Sequence, residues 1–270
     1  MKNIAAMYAL VVKAEFIKLR RTVALWLTFL YPLGSVLLAS LFIYSMRNQK
    51  AMSPVAAVNN INNVAAFFLP FYIVLTISFF CLIENRNNML KYIISLPVPR
   101  HAFFIGKLLA SFALMAITLL LLLIFSLVSF LLLAIINSKT NMLLTMDYGY
   151  LITVFCRTII AGIAMTVIQY ILSLRLKNVV APIAIGISLA ILPIAVLFVL
   201  GVTGVISNPQ VLTWLPLYDP YTYPYSHFFN IMSGPSYKLQ FLPLPSLVYL
   251  FISIALVVFG VYEFNHREIK

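Results

Sequence analysis

Six stretches of the chain are long, apolar and almost free of charged residues, and this feature restricts the fold more than any other. A transmembrane α-helix needs about 20 mostly apolar residues, and the stretches of this length are residues 23–44, 64–83, 108–136, 149–174, 179–206 and 244–262. They lack the alternation of a barrel strand, and a backbone in lipid must satisfy its hydrogen bonds internally. The sequence therefore predicts an all-α integral membrane protein, with six transmembrane helices in one domain over residues 1–270.

The composition excludes a soluble globular protein. Hydrophobic residues make up 63% of the chain and charged residues 9%, against about half and a quarter in soluble domains. The formal net charge of +12 does not indicate a nucleic-acid partner, because the basic residues flank the apolar stretches, where they set membrane orientation. Membrane lipid is the expected surrounding of most of this surface.

The distribution of Lys and Arg predicts that both termini face the cytoplasm. With the N-terminus inside, the inner segments hold 13 of the 18 basic residues, the outer segments hold four, and Arg157 is left within a span. Cytoplasmic loops carry such an excess of basic residues. Arg157 lies near the outer end of its span, where we expect it to snorkel to the interface or to pair locally.

The N-terminal segment, residues 1–21, is predicted to form a helix lying on the inner leaflet. Basic residues alternate there with apolar residues at helical spacing, which are Met7, Leu10, Val11, Ala14 and Ile17. Such a pattern is typical of interfacial helices. The alternative, a frayed basic tail, does not explain the periodicity.

The cytoplasmic loop of residues 84–107 is predicted to contain a short amphipathic helix. Leu90, Ile93 and Ile94 have the spacing of one helix face, and Pro97 and Pro99 end the helix. A connection of this length exceeds what two neighbouring spans need. A docking surface for a partner and a second interfacial helix both fit the residues.

The outer segment, residues 207–243, is rich in proline and aromatic residues, and its formal charges are Asp219 and Lys238. We expect it to dip back into the membrane interface. An aromatic belt is one interpretation and a surface that contacts cargo is the other. The aromatic side chains are Trp214, Tyr218, Tyr221, Tyr223, Tyr225, Phe228 and Phe229.

Sequence motifs for catalysis and nucleotide binding are missing. The chain contains no GxxxxGK[ST], HExxH or GxSxG pattern. Cys81 and Cys156 lie within apolar stretches, which favours two small core residues over a disulfide or a metal site. The sequence therefore predicts no enzyme, no metal site and no resident cofactor.

The order of these segments resembles the ABC-2 type permeases, the membrane half of ATP-binding-cassette exporters. The basic entry AEFIKLRRT (residues 14–22) is similar to the family's connecting helix. Glu84 followed by SLPVPRHAFFIGK (residues 95–107) is similar to its coupling helix and the stretch behind it. Among these permeases, the layout is closest to bacterial immunity permeases for lantibiotics and bacitracin-type peptides.

The resemblance implies an export function with several partners. Two copies of an ABC ATPase would bind ATP and Mg and would contact the coupling loop, a second permease would complete the pathway, and short outer helices would lie between spans 5 and 6. The protein would be a multi-pass protein of the bacterial inner membrane that exports a hydrophobic or amphipathic substrate, such as an antimicrobial peptide. A secondary transporter and a non-transporting scaffold or assembly protein are the alternatives.

The same resemblance assigns two groups of site residues. The expected ATPase-coupling residues are Glu84, Arg86, Leu90, Lys91, Ile93, Ile94 and Arg100. The expected substrate or gate residues are Trp214, Tyr218, Tyr221, Tyr225, Phe228 and Phe229.

Overall fold

The described part of the chain consists of seven α-helices. A computed structural model describes residues 2–20, 22–46, 54–85, 99–136, 148–176, 178, 180–203 and 244–266. The helices are α1 (Lys2–Leu19), α2 (Val23–Met46), α3 (Pro54–Asn85), α4 (Arg100–Ile136), α5 (Tyr148–Arg175), α6 (Val180–Val202) and α7 (Leu244–His266).

The prediction of an all-α membrane protein is confirmed. Five helices are long and apolar enough to cross a membrane, over Val23–Ser45, Asn60–Ile83, Arg100–Leu133, Phe155–Arg175 and Leu247–His266. The remaining expected span corresponds to α6, in which Val180–Val196 forms a shorter apolar helix among the described residues. The outer helices predicted within residues 207–243 lie outside the described residues, as does the coupling helix predicted around Leu90, Ile93 and Ile94.

Two helices begin earlier than the apolar pattern predicts. Helix α4 begins at Arg100, so residues 100–107 of the predicted loop form its first two turns. The backbone N–H of Ala102 donates to the Pro99 carbonyl at 2.9 Å, directly after the two prolines that were predicted to end the amphipathic helix. Helix α3 begins at Pro54, ten residues before the predicted span, and proline is well tolerated at the start of a helix.

The turn between α1 and α2 is closed by hydrogen bonds to a single carbonyl. The Leu19 carbonyl accepts from the Thr22 backbone N–H at 3.0 Å and from the Thr22 hydroxyl at 2.9 Å. Leu19 itself is buried. The start of α2 is therefore held directly against the end of α1.

Helices α3 and α5 form the centre of the bundle. In each, 61% of the apolar span is buried, against 22% in α7. Helix α2 packs on α3 and α4, α6 packs on α3, α7 packs on α5 and α4, and α1 packs on α4. Large apolar side chains of α2 and α7 stay exposed, as expected for faces covered by lipid or by another membrane subunit, and they include Trp26, Leu30, Leu37, Leu41, Phe251, Ile254 and Val258.

Polar side chains inside the bundle bond to neighbouring helices, since lipid offers them no partners. The rings of Tyr31 and Tyr72 stack at 4.7 Å, and the Tyr31 hydroxyl donates to the Ala65 carbonyl at 2.9 Å. The Gln169 amide nitrogen of α5 donates to the Ser78 hydroxyl at 2.9 Å and to the Pro182 carbonyl at 3.0 Å. These contacts join α2 to α3, and α5 to both α3 and α6.

Arg157 is buried within the bundle. A snorkelling side chain would reach water, so that alternative is wrong for Arg157, and local pairing is the one that fits. Of the two cysteines, Cys81 is buried as expected and Cys156 is partly exposed, and neither forms a disulfide.

Candidate functional site

The predicted coupling residues fall mostly outside the described part of the chain. This applies to Arg86, Leu90, Lys91, Ile93 and Ile94. Glu84 lies in the last turn of α3, but its side chain is not among those described. Arg100 begins α4, and its guanidinium donates to the Asn265 carbonyl at the end of α7 at 3.3 Å.

The predicted gate residues, Trp214, Tyr218, Tyr221, Tyr225, Phe228 and Phe229, also lie outside the described residues. The helices that border the predicted coupling loop are described. Helix α3 ends at Asn85 before that loop and α4 begins at Arg100 after it. Both meet α1 at one end of the bundle, here called the basic end, which also includes Arg175 and His266.

Helix α1 has three lengthwise strips. Leu10 and Ile17 are 66% and 67% exposed and form an apolar strip, as the sequence predicts for a helix at a membrane surface. Lys13 and Arg20, also exposed, lie beside it. A third strip, which periodicity alone did not predict, contains Glu15 and packs on the bundle.

Glu15 forms a buried ion pair with Lys107 of α4. The Glu15 Oε2 and Lys107 Nζ atoms are 3.1 Å apart, and the two side chains are 2% and 0% exposed. The other carboxylate oxygen of Glu15 lies 2.5 Å from the Lys18 ammonium, one turn further along α1. One carboxylate thus contacts two ammonium groups.

Aromatic rings surround the same ammonium groups. The Lys107 Nζ atom lies 4.2 Å from the centre of the Phe80 ring of α3 and 5.9 Å from that of Phe103. The Lys18 ammonium lies 5.7 Å from the Phe103 ring. A ring face attracts a cation, and more strongly where water is excluded. Lys107 therefore contacts α1 through Glu15 and α3 through Phe80.

The backbones of α1 and α4 approach closely beside this cluster. A Cβ atom added to Gly106 would lie 2.5 Å from Val11 Cγ1 and 3.1 Å from Val11 Cβ. Glycine is required at this position because any larger residue would push α1 away from α4. The close approach keeps the Lys107 ammonium within reach of the Glu15 carboxylate.

We call Glu15, Lys18, Lys107, Phe80 and Phe103 the α1–α4 junction. Separating a charge from its partner inside a bundle is costly, so such a pair tolerates few relative positions of its helices. Its carboxylate and its two ammonium groups are paired with one another, an arrangement suited to fixing geometry. The stretches AEFIKLRRT and SLPVPRHAFFIGK, which contain Glu15 and Lys107, were recognisable in the sequence. Their contact is a result of tertiary packing, which the sequence did not show.

A second ion pair at the basic end is solvent-accessible. Arg175 of α5 binds Glu263 of α7, with nitrogen–oxygen distances of 2.6 and 2.9 Å to Glu263 Oε2. The two side chains are 47% and 34% exposed. We call this pair the α5–α7 junction.

Comparison with known families agrees with the resemblance seen in the sequence. The sequence model of the ABC-2 family transporter proteins matches residues 11–207. That range holds the second half of α1, the helices α2 to α6 and both partners of the Glu15–Lys107 pair. No curated protein matches the chain.

Proposed function

The chain belongs to the ABC-2 family of transporter proteins and is a membrane permease component of an ABC transporter; on this premise we propose that it serves an ATP-driven exporter of a hydrophobic or amphipathic substrate. Permeases of this family are not catalytic themselves and work with an ABC ATPase, typically beside a partner permease. Two copies of the ATPase would bind ATP and Mg and would hydrolyse the ATP.

The observation that carries the coupling part of the proposal is the convergence of both borders of the loop at the basic end. The start of α4 packs on α1 there, and Phe80, in the last two turns of α3, lies in one buried cluster with Leu19 of α1. The excess of basic residues in the segments at this end favours a cytoplasmic position, where an ATPase would bind. ATP-driven closure of the ATPase pair would push the loop and tilt the helices that border it.

The orientation is tested with single cysteines at Asn48 and Asn88, in a variant lacking Cys81 and Cys156. An impermeant maleimide added to intact cells should label the cysteine at position 48 but not the one at position 88. Opening the cells should expose position 88. Labelling of both positions from outside would contradict the cytoplasmic location of the loop.

ATPase docking is tested with Ile93→Asp. A docked apolar side chain contributes about 1.5–3 kcal/mol by burial, so a carboxylate in its place should release the ATPase while membrane insertion continues. The matched control is Asn88→Asp, which places the same charge on the polar side of the predicted helix. Retention of the ATPase in stoichiometric amount by Ile93→Asp, with normal stimulation of ATP turnover, would show that the loop does not dock it.

The cargo hypothesis rests on the exposed apolar faces of the bundle and on the aromatic outer segment. An amphipathic molecule suits rigid aromatic side chains, which do not demand strict hydrogen-bond geometry. Sensitive cells expressing the permease with its ATPase should survive higher concentrations of bacitracin or a lantibiotic. Tyr221→Ala should remove that protection without changing expression or basal ATP hydrolysis, whereas equal losses of stability and protection would assign the segment to anchoring.

A further inference from the structure

We infer that the Glu15–Lys107 ion pair is a transmission contact, through which displacement of the coupling loop moves α1 and the start of α2 together with α4. This inference rests on the proposed coupling function. It assigns Glu15 and Lys107 as positioning residues, because neither is expected to touch ATP or cargo.

The first step of the argument is the distance from the loop to the pair. Arg100 and Lys107 lie seven residues apart in one continuous helix, which corresponds to about 10 Å at 1.5 Å per residue. A helix of this length transmits a push at its end without bending, and no proline interrupts α4 between these residues. Movement of Arg100 therefore reaches the Lys107 ammonium.

The second step is the link from Lys107 to α1. The ion pair is fully enclosed, and the Gly106 backbone lies against the Val11 side chain, so α1 cannot slide along α4 without breaking a buried charge contact. The Phe80 ring holds the same ammonium against the last two turns of α3. Both borders of the loop are thus fixed to α1 through one side chain.

The third step leads from α1 to α2. Leu19 is buried and its carbonyl accepts both hydrogen bonds of Thr22, which leaves little freedom between the two helices. Trp26 lies in the first turn of α2 with its ring exposed. A displacement of α1 should therefore change the surroundings of Trp26.

If the Glu15–Lys107 pair only stabilised the fold, its removal would have a different effect. In that case, removing both charges at once would change stability at most, and the response of α2 to nucleotide would persist. A transmission role predicts that the response is lost even when the protein remains folded and keeps its ATPase. The double variant Glu15→Gln/Lys107→Met separates these outcomes, because replacing a whole buried pair by neutral groups is often tolerated.

The experiment uses the permease–ATPase complex in nanodiscs, with 5-fluorotryptophan incorporated into the permease alone. The chain has two tryptophans, and a Trp26→Phe sample assigns the fluorine resonance of Trp26. We expect this resonance to shift between the nucleotide-free complex and the complex trapped with ADP and vanadate. In Glu15→Gln/Lys107→Met the shift should be lost while the ATPase stays bound.

A disulfide between α1 and α4 should restore the Trp26 response in the double variant. Cysteines at Val11 and Gly106, in a background lacking Cys81 and Cys156, would have Cβ atoms 3.1 Å apart, a few tenths of an ångström below the usual disulfide range of about 3.5–4.5 Å. Oxidation should restore the Trp26 shift in the double variant, and reduction should abolish it again. The matched control Arg175→Gln/Glu263→Gln removes an ion pair at the same end and should keep the shift.

Each outcome decides a separate question. A wild-type chain that binds no ATPase would overturn the proposed function, whereas one that binds the ATPase but shows no nucleotide-dependent shift would overturn the transmission role. A normal shift in both the wild type and the double variant would overturn the transmission role alone, as would a disulfide that fails to restore the shift. If the double variant does not fold, Glu15→Leu/Lys107→Met replaces the whole pair by apolar side chains, and an unchanged shift there would equally contradict the role.

Discussion

Two of the described ion pairs at the basic end of the bundle are similar in composition and differ in their surroundings. At the α1–α4 junction, the Glu15–Lys107 pair is enclosed by aromatic rings and by the backbone contact at Gly106. At the α5–α7 junction, the Arg175–Glu263 pair is in contact with solvent and has the shorter distance, 2.6 Å against 3.1 Å. Distance alone would rank the exposed pair as the stronger.

Burial reverses that ranking where the loss of one partner is concerned. Exposed pairs contribute little, because water and salt screen them and ordering two side chains costs entropy. In a buried pair, removal of one partner leaves a charge that water cannot reach. The α1–α4 junction is therefore expected to define helix positions, and the α5–α7 junction to allow its helices to move independently.

The largest effect is expected from Glu15→Gln. Loss of the carboxylate leaves the Lys107 ammonium enclosed, and breaking a buried pair from one side costs about 3–5 kcal/mol. The free energy of unfolding, measured by SDS titration in mixed micelles, should fall by that amount. Lys13→Gln, on an exposed position of the same helix, is the control and should change little.

The double variant Glu15→Gln/Lys107→Met sharpens that prediction. It should recover most of the stability lost in Glu15→Gln, because the enclosed Lys107 charge is removed and the Lys18 ammonium that remains is partly exposed to water. A strictly additive loss would show that the two residues do not act as a pair. An effect of Glu15→Gln as small as that of Lys13→Gln would mean that water reaches the junction.

A smaller effect is expected from Gly106→Ala at the same junction. The added methyl group meets Val11 at 2.5 Å, and overpacking of a tight contact costs about 1–3 kcal/mol. The control is Gly34→Ala in α2, where nothing lies within 4 Å of the added atom. Gly34→Ala should be neutral or stabilising, since alanine favours a helix over glycine by about 0.5–1 kcal/mol.

The same titration compares the two glycine variants. Equal results would show that α1 can move away from α4 without cost, which would contradict the tight junction. A loss confined to Gly106→Ala would support it.

The span helices were predictable from the sequence because apolar length determines them. Helix α2 follows the predicted stretch to within a few residues, since no charge interrupts residues 23–46. The start of α4 was not predictable in this way. A charged residue such as Lys107 indicates the end of an apolar span unless a buried partner for its charge is known. Glu15 supplies that partner from 92 residues away.

The amphipathic pattern of α1 was only partly informative. Periodicity identified the helix and its apolar strip, with Leu10 and Ile17 exposed as a membrane-surface helix requires. It could not show which strip faces the protein, because lipid and a packed helix both accept apolar residues. Glu15, the one acidic residue among five basic ones in residues 1–21, was the available signal. An isolated acid in a basic helix indicates a specific partner.

The smallest effect is expected at the α5–α7 junction. Exposed ion pairs contribute about 0–1 kcal/mol, and the 47% exposure of Arg175 places its pair with Glu263 in that class. Arg175→Gln should therefore lower the free energy of unfolding by less than Gly106→Ala does, and 0.15 M salt should remove about the same amount from the wild type by screening. Glu15→Gln should respond to salt far less, because ions do not enter the enclosed junction. SDS titrations at two salt concentrations measure both quantities.

A loss in Arg175→Gln as large and as insensitive to salt as that in Glu15→Gln would show that the Arg175–Glu263 pair is also shielded from water. The two junctions would then hold their helices in the same way.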